Sequence, residues 1–292
     1  MDDLRGGLRV SAMDGAVHHV APSVTVDPVA LAQAALILLC VKSADTAKAA
    51  QIIKTHAPTD TPVISLQNGV TNAQVLADAI GADRVTPGMV GFNVVCSTLD
   101  HFIQTTEGEI ILAPNGANLC DMLAATPIPA QCHANITGVQ WSKLLMNLNN
   151  ALNALSGLPL KTQLEHRTWR KALAACITEG LAVARAEGIK LERIGKIHPR
   201  MIPFMLRLPD PIFLRLAQSM LRIDPAARSS MADDYALGRA PEVAWLNGHI
   251  VARGQAHGIA TPVNTRVCAL IDTAFADAKR PTLHVTAASV LS

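Results

Sequence analysis

Residues 141–153 read WSKLLMNLNNALN and hold the densest set of groups able to do chemistry in this chain. Lys143, Asn147 and Asn150 recur at i, i+4 and i+7, which places them on one face if the segment is a helix. Leu144, Leu148, Leu152 and Leu155 recur every three or four residues and make a separate apolar stripe, so a helix is predicted over residues 138–155. Asparagine is a poor helix former, and several in one short run cost stability with no local return. A local rule broken without local compensation marks a candidate site. The face carries no Glu, Asp or Arg, so one ammonium stands among amides. That suits a polar neutral or anionic ligand, and the alternative is a solvated polar face with a single lysine.

The elements that must position these groups divide into two kinds. In the first half, residues 8–13 and 17–26 read as strands around Asp14-Gly15, a hairpin signal. A helical turn starts at Asp27-Pro28. Residues 35–41 form a continuous apolar run of strand length, as expected for a parallel strand covered on both faces, with Lys42 at its carboxyl end. A helix over 44–54, a strand over 62–66, the Gln67-Asn68-Gly69 loop, a helix over 70–80 ending at Gly81 and a strand over 84–90 follow. Residues 102–105 and 109–113 are expected to pair across Glu107-Gly108, with a helix over 115–125 after them. Alternating strands and helices predict a doubly wound parallel sheet, whose ligands bind outside the carboxyl ends of the strands. Lys42 and Asn68-Gly69 fall there, although a strand-ending charge and a positive-φ turn account for them equally well.

Pro127 and Pro129 break the chain, and from Gly138 onward it reads as almost wholly helical. Helices are expected to stop at Ser156-Gly157 and at Gly188 and to be short over 199–221. Another is expected over 241–255 with Pro241 in its first position, Glu242 in its first turn and Gly248 in its middle. A last one starts at the Thr261-Pro262 cap and runs to about Ala278.

Composition removes several classes. The net charge is +2 with 3% aromatic residues and no basic stripe, so nucleic-acid binding has no support. No apolar run is long enough for a membrane span. Six scattered cysteines without a CxxC pair suggest neither zinc nor a disulfide framework and fit a reducing cytoplasm. Ten histidines make no HxxxH or HxH pair, so no metal site is expected. No two of the 18 glycines stand two residues apart, so the GxGxxG loop of a dinucleotide-binding domain does not occur. If the fold binds a nucleotide, the opening β–loop–α–β unit is missing. The expectation is an N-terminally truncated domain with an unpaired strand, bare apolar surface and poor stability.

The ordered set VK (41–42), QNG (67–69), WSKLLMNLNNALNALSG (141–157), RSSM (228–231) and GRAPEVAWLNG…AHGIATPVNT (238–265) resembles the ketopantoate reductase family over residues 8–278. The resemblance implies an α/β fold: an incomplete, Rossmann-like NADP-binding domain over residues 1–134 and an all-helical substrate domain over 135–292. It implies reduction of 2-dehydropantoate to pantoate with NADP(H) on the pantothenate pathway, in the cytoplasm, with a homodimer compatible. Lys143 matches the family's general acid, and burial among apolar helices is expected to lower its pKa. Glu242 matches a glutamate on the cofactor side that orients the reacting groups. Asn68 matches an asparagine touching nicotinamide and substrate, Asn147 and Ser230 match substrate-binding residues, and Lys42 and Val94 match cofactor contacts. The substrate is expected between Asn68 on one side and Lys143, Asn147, Ser230 and Glu242 on the other.

Ala151, Lys161 and Ala227 stand where some members carry asparagines, and the arginine that selects the 2′-phosphate has no counterpart. Two other readings fit the same residues: a reductase of another small 2-oxo acid, and a non-catalytic remnant serving as a binding or scaffold protein.

Overall fold

The computed structural model describes residues 7–124, 126–193, 197–217, 224–277, 279–280, 282–283 and 285–291. The predicted helix ends at Ala125, Leu221 and Ala278 lie outside the described residues. The chain divides into two compact units, Met1–Ile136 and Thr137–Ser292.

The first unit holds two sheets. A four-stranded sheet has the order β2-β1-β7-β6, from β1 (Leu8–Ser11), β2 (Val17–Val20), β6 (Val94–Thr98) and β7 (His101–Gln104). The first two strands form the expected hairpin, closed by Ala16 N–H donating to the Asp14 carboxylate at 2.9 Å. A five-stranded sheet has the order β3-β4-β5-β8-β9, from β3 (Ile37–Leu39), β4 (Val63–Ser65), β5 (Val85–Val90), β8 (Ile110–Leu112) and β9 (Ala130–Cys132). Strands β3, β4 and β5 are parallel, as predicted, but β8 runs antiparallel to β5, so the sheet is mixed. Three helices flank it: α1 (Thr46–His56), α2 (Asn72–Ile80) and α3 (Ala117–Leu123). Ile37, Leu39, Val63 and Val85 bury one face with Ile53 of α1 and Leu76 of α2. Ile64, Ile110 and Leu112 bury the other with Leu119 of α3.

Two expectations fail here. Strand β3 is not covered on both faces: it is an edge strand, and Leu38 is 47% exposed. Its alternate residues Ile37 and Leu39 pack with α1 and α2, whereas the α3-side cluster takes in Ile64 but not Leu38, its register partner. Nor do residues 102–105 and 109–113 pair with each other. They lie one after the other along the same arm of a long antiparallel ribbon, whose partner arm is β5 continuing into β6. Gly91 N–H donates to Glu109 O at 2.7 Å between the two sheets, and the turn is at Leu99-Asp100. Gly108, at φ +156°, marks the place where the ribbon's backbones approach too closely for a Cβ, rather than a hairpin turn.

The second unit is helical: α4 (Ile136–Asn147), α5 (Asn149–Ser156), α6 (Leu160–Glu165), α7 (Arg167–Ala186), α8 (Ile202–Arg207) and α9 (Asp210–Leu216), then α10 (Ser230–Ala236), α11 (Asn247–Ala256), α12 (Pro262–Ala276) and α13 (Ala287–Leu291). Leu144, Leu145, Leu148, Leu152 and Leu155 are all fully buried, so the predicted stripe is the core face. The predicted single helix is broken only at Leu148, whose N–H still donates to Leu144 O at 3.1 Å.

Helix α11 starts at Asn247, not at Pro241. A 3-10 turn over Val243–Trp245 and the Leu246 backbone (φ −109°, ψ −97°) come first, so Glu242 is outside the helix and Gly248 is near its start. The cap of α12 also differs from expectation. Thr261 makes no side-chain capping bond. Instead the Glu179 carboxylate of α7 accepts from Val263 N–H (2.8 Å) and Asn264 N–H (3.0 Å), a tertiary contact that local sequence does not announce. Among the described residues no helix is long and apolar enough to cross a membrane.

Candidate active site

In the first unit, Lys42 ends the segment that leaves β3, and Asn68 lies in the loop that leaves β4. Both loops therefore stand at carboxyl ends of parallel strands. Gly69 adopts φ +87°, the conformation for which the Asn-Gly pair was singled out. A buried polar network joins the two loops. Gln67 donates from Nε2 to Val41 O (2.9 Å) and to Thr46 Oγ1 (2.7 Å), and its Oε1 accepts from Ser65 Oγ (3.0 Å). Asn72 donates from Nδ2 to Asn68 O (2.6 Å) and Ser43 Oγ (3.1 Å), and its Oδ1 accepts from Thr46 Oγ1 (2.9 Å). Ser43, Thr46, Ser65, Gln67 and Asn72 are all buried. The network fixes the backbone on either side of Lys42 and Asn68 relative to each other. Sequence reasoning missed it, although polar residues clustered at the ends of two buried strands were the available signal.

Val94 is an exposed residue of β6, four positions beyond the carboxyl end of β5 at Val90. It belongs to the four-stranded sheet and has no part in the network that joins Lys42 to Asn68.

In the second unit, Lys143, Asn147 and Asn150 are each half-buried on one face of the α4–α5 run, while the leucines between them are buried. Burial lowers the Lys143 ammonium from its ordinary range to about 8. Asn150 Nδ2 lies 3.5 Å from Ser230 Oγ, at the exposed first turn of α10. The neighbouring Ser229 is the N-cap, its Oγ accepting from Ala232 N–H at 3.2 Å and donating to Asn150 O at 2.9 Å. Capping by Ser229 leaves the Ser230 hydroxyl for other partners and holds it beside Asn150. Glu242 is half-buried and precedes the Val243–Trp245 turn, so a helix-dipole role does not account for it.

The expectation that these asparagines bring no packing return is wrong for two of them. Asn149 and Asn153 are buried. Asn149 exchanges bonds with the Gln163 amide, and Asn153 donates to Gln163 Oε1 (3.1 Å) and Leu158 O (3.0 Å) and accepts from Ser229 N–H (2.8 Å). Most of their compensation comes from α6 and the α10 cap, 10 to 76 residues away.

A sheet with candidate groups at the carboxyl ends of parallel strands, and a helical unit with a lysine of lowered pKa, together have the make-up of a two-part oxidoreductase. Comparison with known proteins gives the family. Residues 4–116 match the model "Ketopantoate reductase PanE/ApbA", and residues 135–274 match "Ketopantoate reductase PanE/ApbA C terminal". The chain is 30% identical over 279 residues to a 2-dehydropantoate 2-reductase of Halobacterium salinarum, covering 93% of this chain and 86% of the relative. It is likewise 30% identical over 269 residues to one from Caulobacter vibrioides, covering 91% and 86%. A PanE/ApbA family ketopantoate reductase from Ralstonia eutropha JMP134 superposes with a TM-score of 0.79 at 33% identity, over 93% of this chain and 86% of that one. A D-mandelate dehydrogenase, solved with NADH and anilino(oxo)acetate, shares the fold with a TM-score of 0.77 at 19% identity, over 93% and 86%. The chain belongs to the ketopantoate reductase family and is an oxidoreductase.

Proposed function

We propose that this protein reduces the C2 ketone of 2-dehydropantoate to the pantoate alcohol with NADPH, Lys143 acting as general acid. The observation that carries this is Lys143 itself: a half-buried lysine lowered to about 8, one helical turn before Asn147, in a chain whose relatives are 2-dehydropantoate 2-reductases. When bound, the nicotinamide cofactor supplies a hydride to carbon. Everything else falls to the chain's own residues. Lys143 holds a proton at Nζ, stabilises the negative charge that develops on the C2 oxygen, and gives that proton up to complete the alcohol. One hydride and one proton convert C=O to CH–OH. Asn147 and Ser230 offer polar contacts to the substrate, with Asn150 steadying Ser230. Glu242 orients the reacting groups.

On the cofactor side the proposed contacts are Lys42, Asn68 and Val94. The residues present fit the nicotinamide end: the Gln67–Asn72 network holds Lys42 and Asn68 at the carboxyl ends of parallel strands, where such sheets take their ligands. The proposed product belongs to pantothenate biosynthesis, and six cysteines without a CxxC pair fit a reducing cytoplasm. A homodimer is compatible with this; a relative from Staphylococcus aureus is described as a dimeric ketopantoate reductase.

The test pairs two measurements on one variant. Lys143→Ala is expected to lose about 10²–10⁴-fold in turnover and to keep NADPH binding, followed by nicotinamide fluorescence. Turnover that survives the substitution removes Lys143 from the acid role. A second reading, a reductase of a different small 2-oxo acid, is favoured by Ala151, Lys161 and Ala227, where some members carry asparagines. A panel of 2-oxo acids assayed by NADPH oxidation separates the two readings. NADPH binding with no turnover on any of them indicates the non-catalytic alternative.

A further inference from the structure

Two thiols that take no part in the proposed reaction stand side by side in the first unit. Cys120 Sγ, on α3, lies 3.3 Å from Cys132 Sγ, at the end of β9. Cys132 is exposed and Cys120 half-buried, so small reagents reach the pair from solvent. The two residues are twelve positions apart, joined by a connection that contains Pro127 and Pro129. Strand β9 is the last strand of its sheet and pairs on one side only, with β8.

We propose that Cys120 and Cys132 form a dithiol modification site that closes reversibly to an intramolecular disulfide when a small-molecule disulfide is the oxidant. The exposed Cys132, as thiolate, attacks one sulfur of the small disulfide, and the first small thiolate leaves. The sulfur of Cys120 then attacks Cys132 Sγ in the mixed disulfide, and the second small thiolate leaves. Two protein S–H bonds are replaced by one S–S bond. The two electrons reduce the oxidant, which departs as two thiols carrying the two protons. Burial, the contact with Cys132 and the nearby Asp121 carboxylate raise the Cys120 thiol to about 11. The greater exposure of Cys132 lets it meet the oxidant first, and Cys120 resolves.

Closing 3.3 Å to a bond of about 2.0 Å needs only a small movement of the two side chains. The disulfide would tie a one-sided edge strand to the helix beside it. By closing the 120–132 loop of the unfolded chain, it would also stabilise the folded unit.

The test uses the full chain in its native state, incubated with glutathione disulfide, alkylated, digested without reduction and read by mass spectrometry. The expected result is a linked pair of peptides joining Cys120 to Cys132, lighter by two hydrogens than the separate peptides and lost on treatment with dithiothreitol. In Cys120→Ser the reaction stops one step earlier, with glutathione left on Cys132. Free thiols at both positions, glutathione stable on Cys132 in the unmodified chain, or either residue linked to another cysteine would each overturn the proposal.

Discussion

The two groups of candidate residues are held in place by different physics. Lys42 and Asn68 sit in loops, and their positions depend on side chains reaching across sequence: Gln67 to Val41 and Thr46, and Asn72 to Ser43 and Asn68. Lys143, Asn147 and Asn150 share one face by helix geometry, while the leucines anchor the opposite one. The polar residues around them have a different task. Asn149, Asn153 and Gln163 bind the helix pair to α6 and to the α10 cap. A loop site thus spends its buried polar groups on placing the functional residues, whereas a helix site spends them on placing the helix.

That contrast can be broken at several points. The largest effect is expected from Lys143→Ala, about 10²–10⁴-fold in turnover with no loss of melting temperature below about pH 8, where holding the half-buried ammonium charged costs stability. Steady-state kinetics beside a thermal melt check it.

Asn153→Ala is expected to do the reverse. It strands the buried Ser229 N–H, takes a donor from the Leu158 carbonyl and leaves Gln163 Oε1 with Asn149 alone, at a cost of about 1–3 kcal/mol in urea unfolding. A loss below about 1 kcal/mol would mean that the helix pair holds its place without this network.

Gln67→Leu tests the loop side. It leaves the Val41 carbonyl and the Thr46 and Ser65 hydroxyls short of partners, so about 1–3 kcal/mol of stability is expected to go. NADPH affinity is expected to weaken by more than turnover on saturating cofactor, since a displaced loop costs binding first. Equal losses in both would show that the loop network acts in the chemical step.

The pH profile sharpens the helix side. With Lys143 at about 8, the proton-donating form is full below that value and is lost above it. The rate of reduction is therefore expected to fall, reaching about tenfold per pH unit well above the pKa. Stability moves the other way in that range. Between about 8 and the ordinary lysine value of about 10.4, the unfolded chain binds more protons than the folded one, so this residue's contribution to stability rises with pH. A kinetic pKa that persists in Lys143→Arg would assign the titration to another group.

The smallest effect is expected from Asn150→Ala. Its contact with the exposed Ser230 is long, at 3.5 Å, so stability should change by less than about 0.5 kcal/mol. The KM for the 2-oxo acid is expected to rise a fewfold, as measured in a substrate titration.

Much of the fold was legible in the chain. The apolar runs that became β3, β4 and β5, the leucine stripe of α4 and α5, and the glycines that end α5 and α7 each carry their own local signal. Of the candidate site, the helix face was legible because helical periodicity is a property of neighbours in sequence. The supporting residues were not: Gln67 and Asn72 look like ordinary loop and helix-start residues until the partner loop arrives. Asn149 and Asn153 likewise look like a helical liability until Gln163 and Ser229 meet them.

By itself the sequence determined the parallel core strands, the longer helices, the family and the types of residue available for chemistry, because periodicity, turn residues and motif spacing are written locally. Only the tertiary structure decided which asparagines are structural and which face the candidate site. It also decided that residues 102–105 and 109–113 belong to two sheets rather than one hairpin, that Glu179 rather than Thr261 caps α12, and that Cys120 meets Cys132. Each of these depends on a partner distant in sequence, and a hydrogen bond or a sulfur contact exists only once both ends have been brought together.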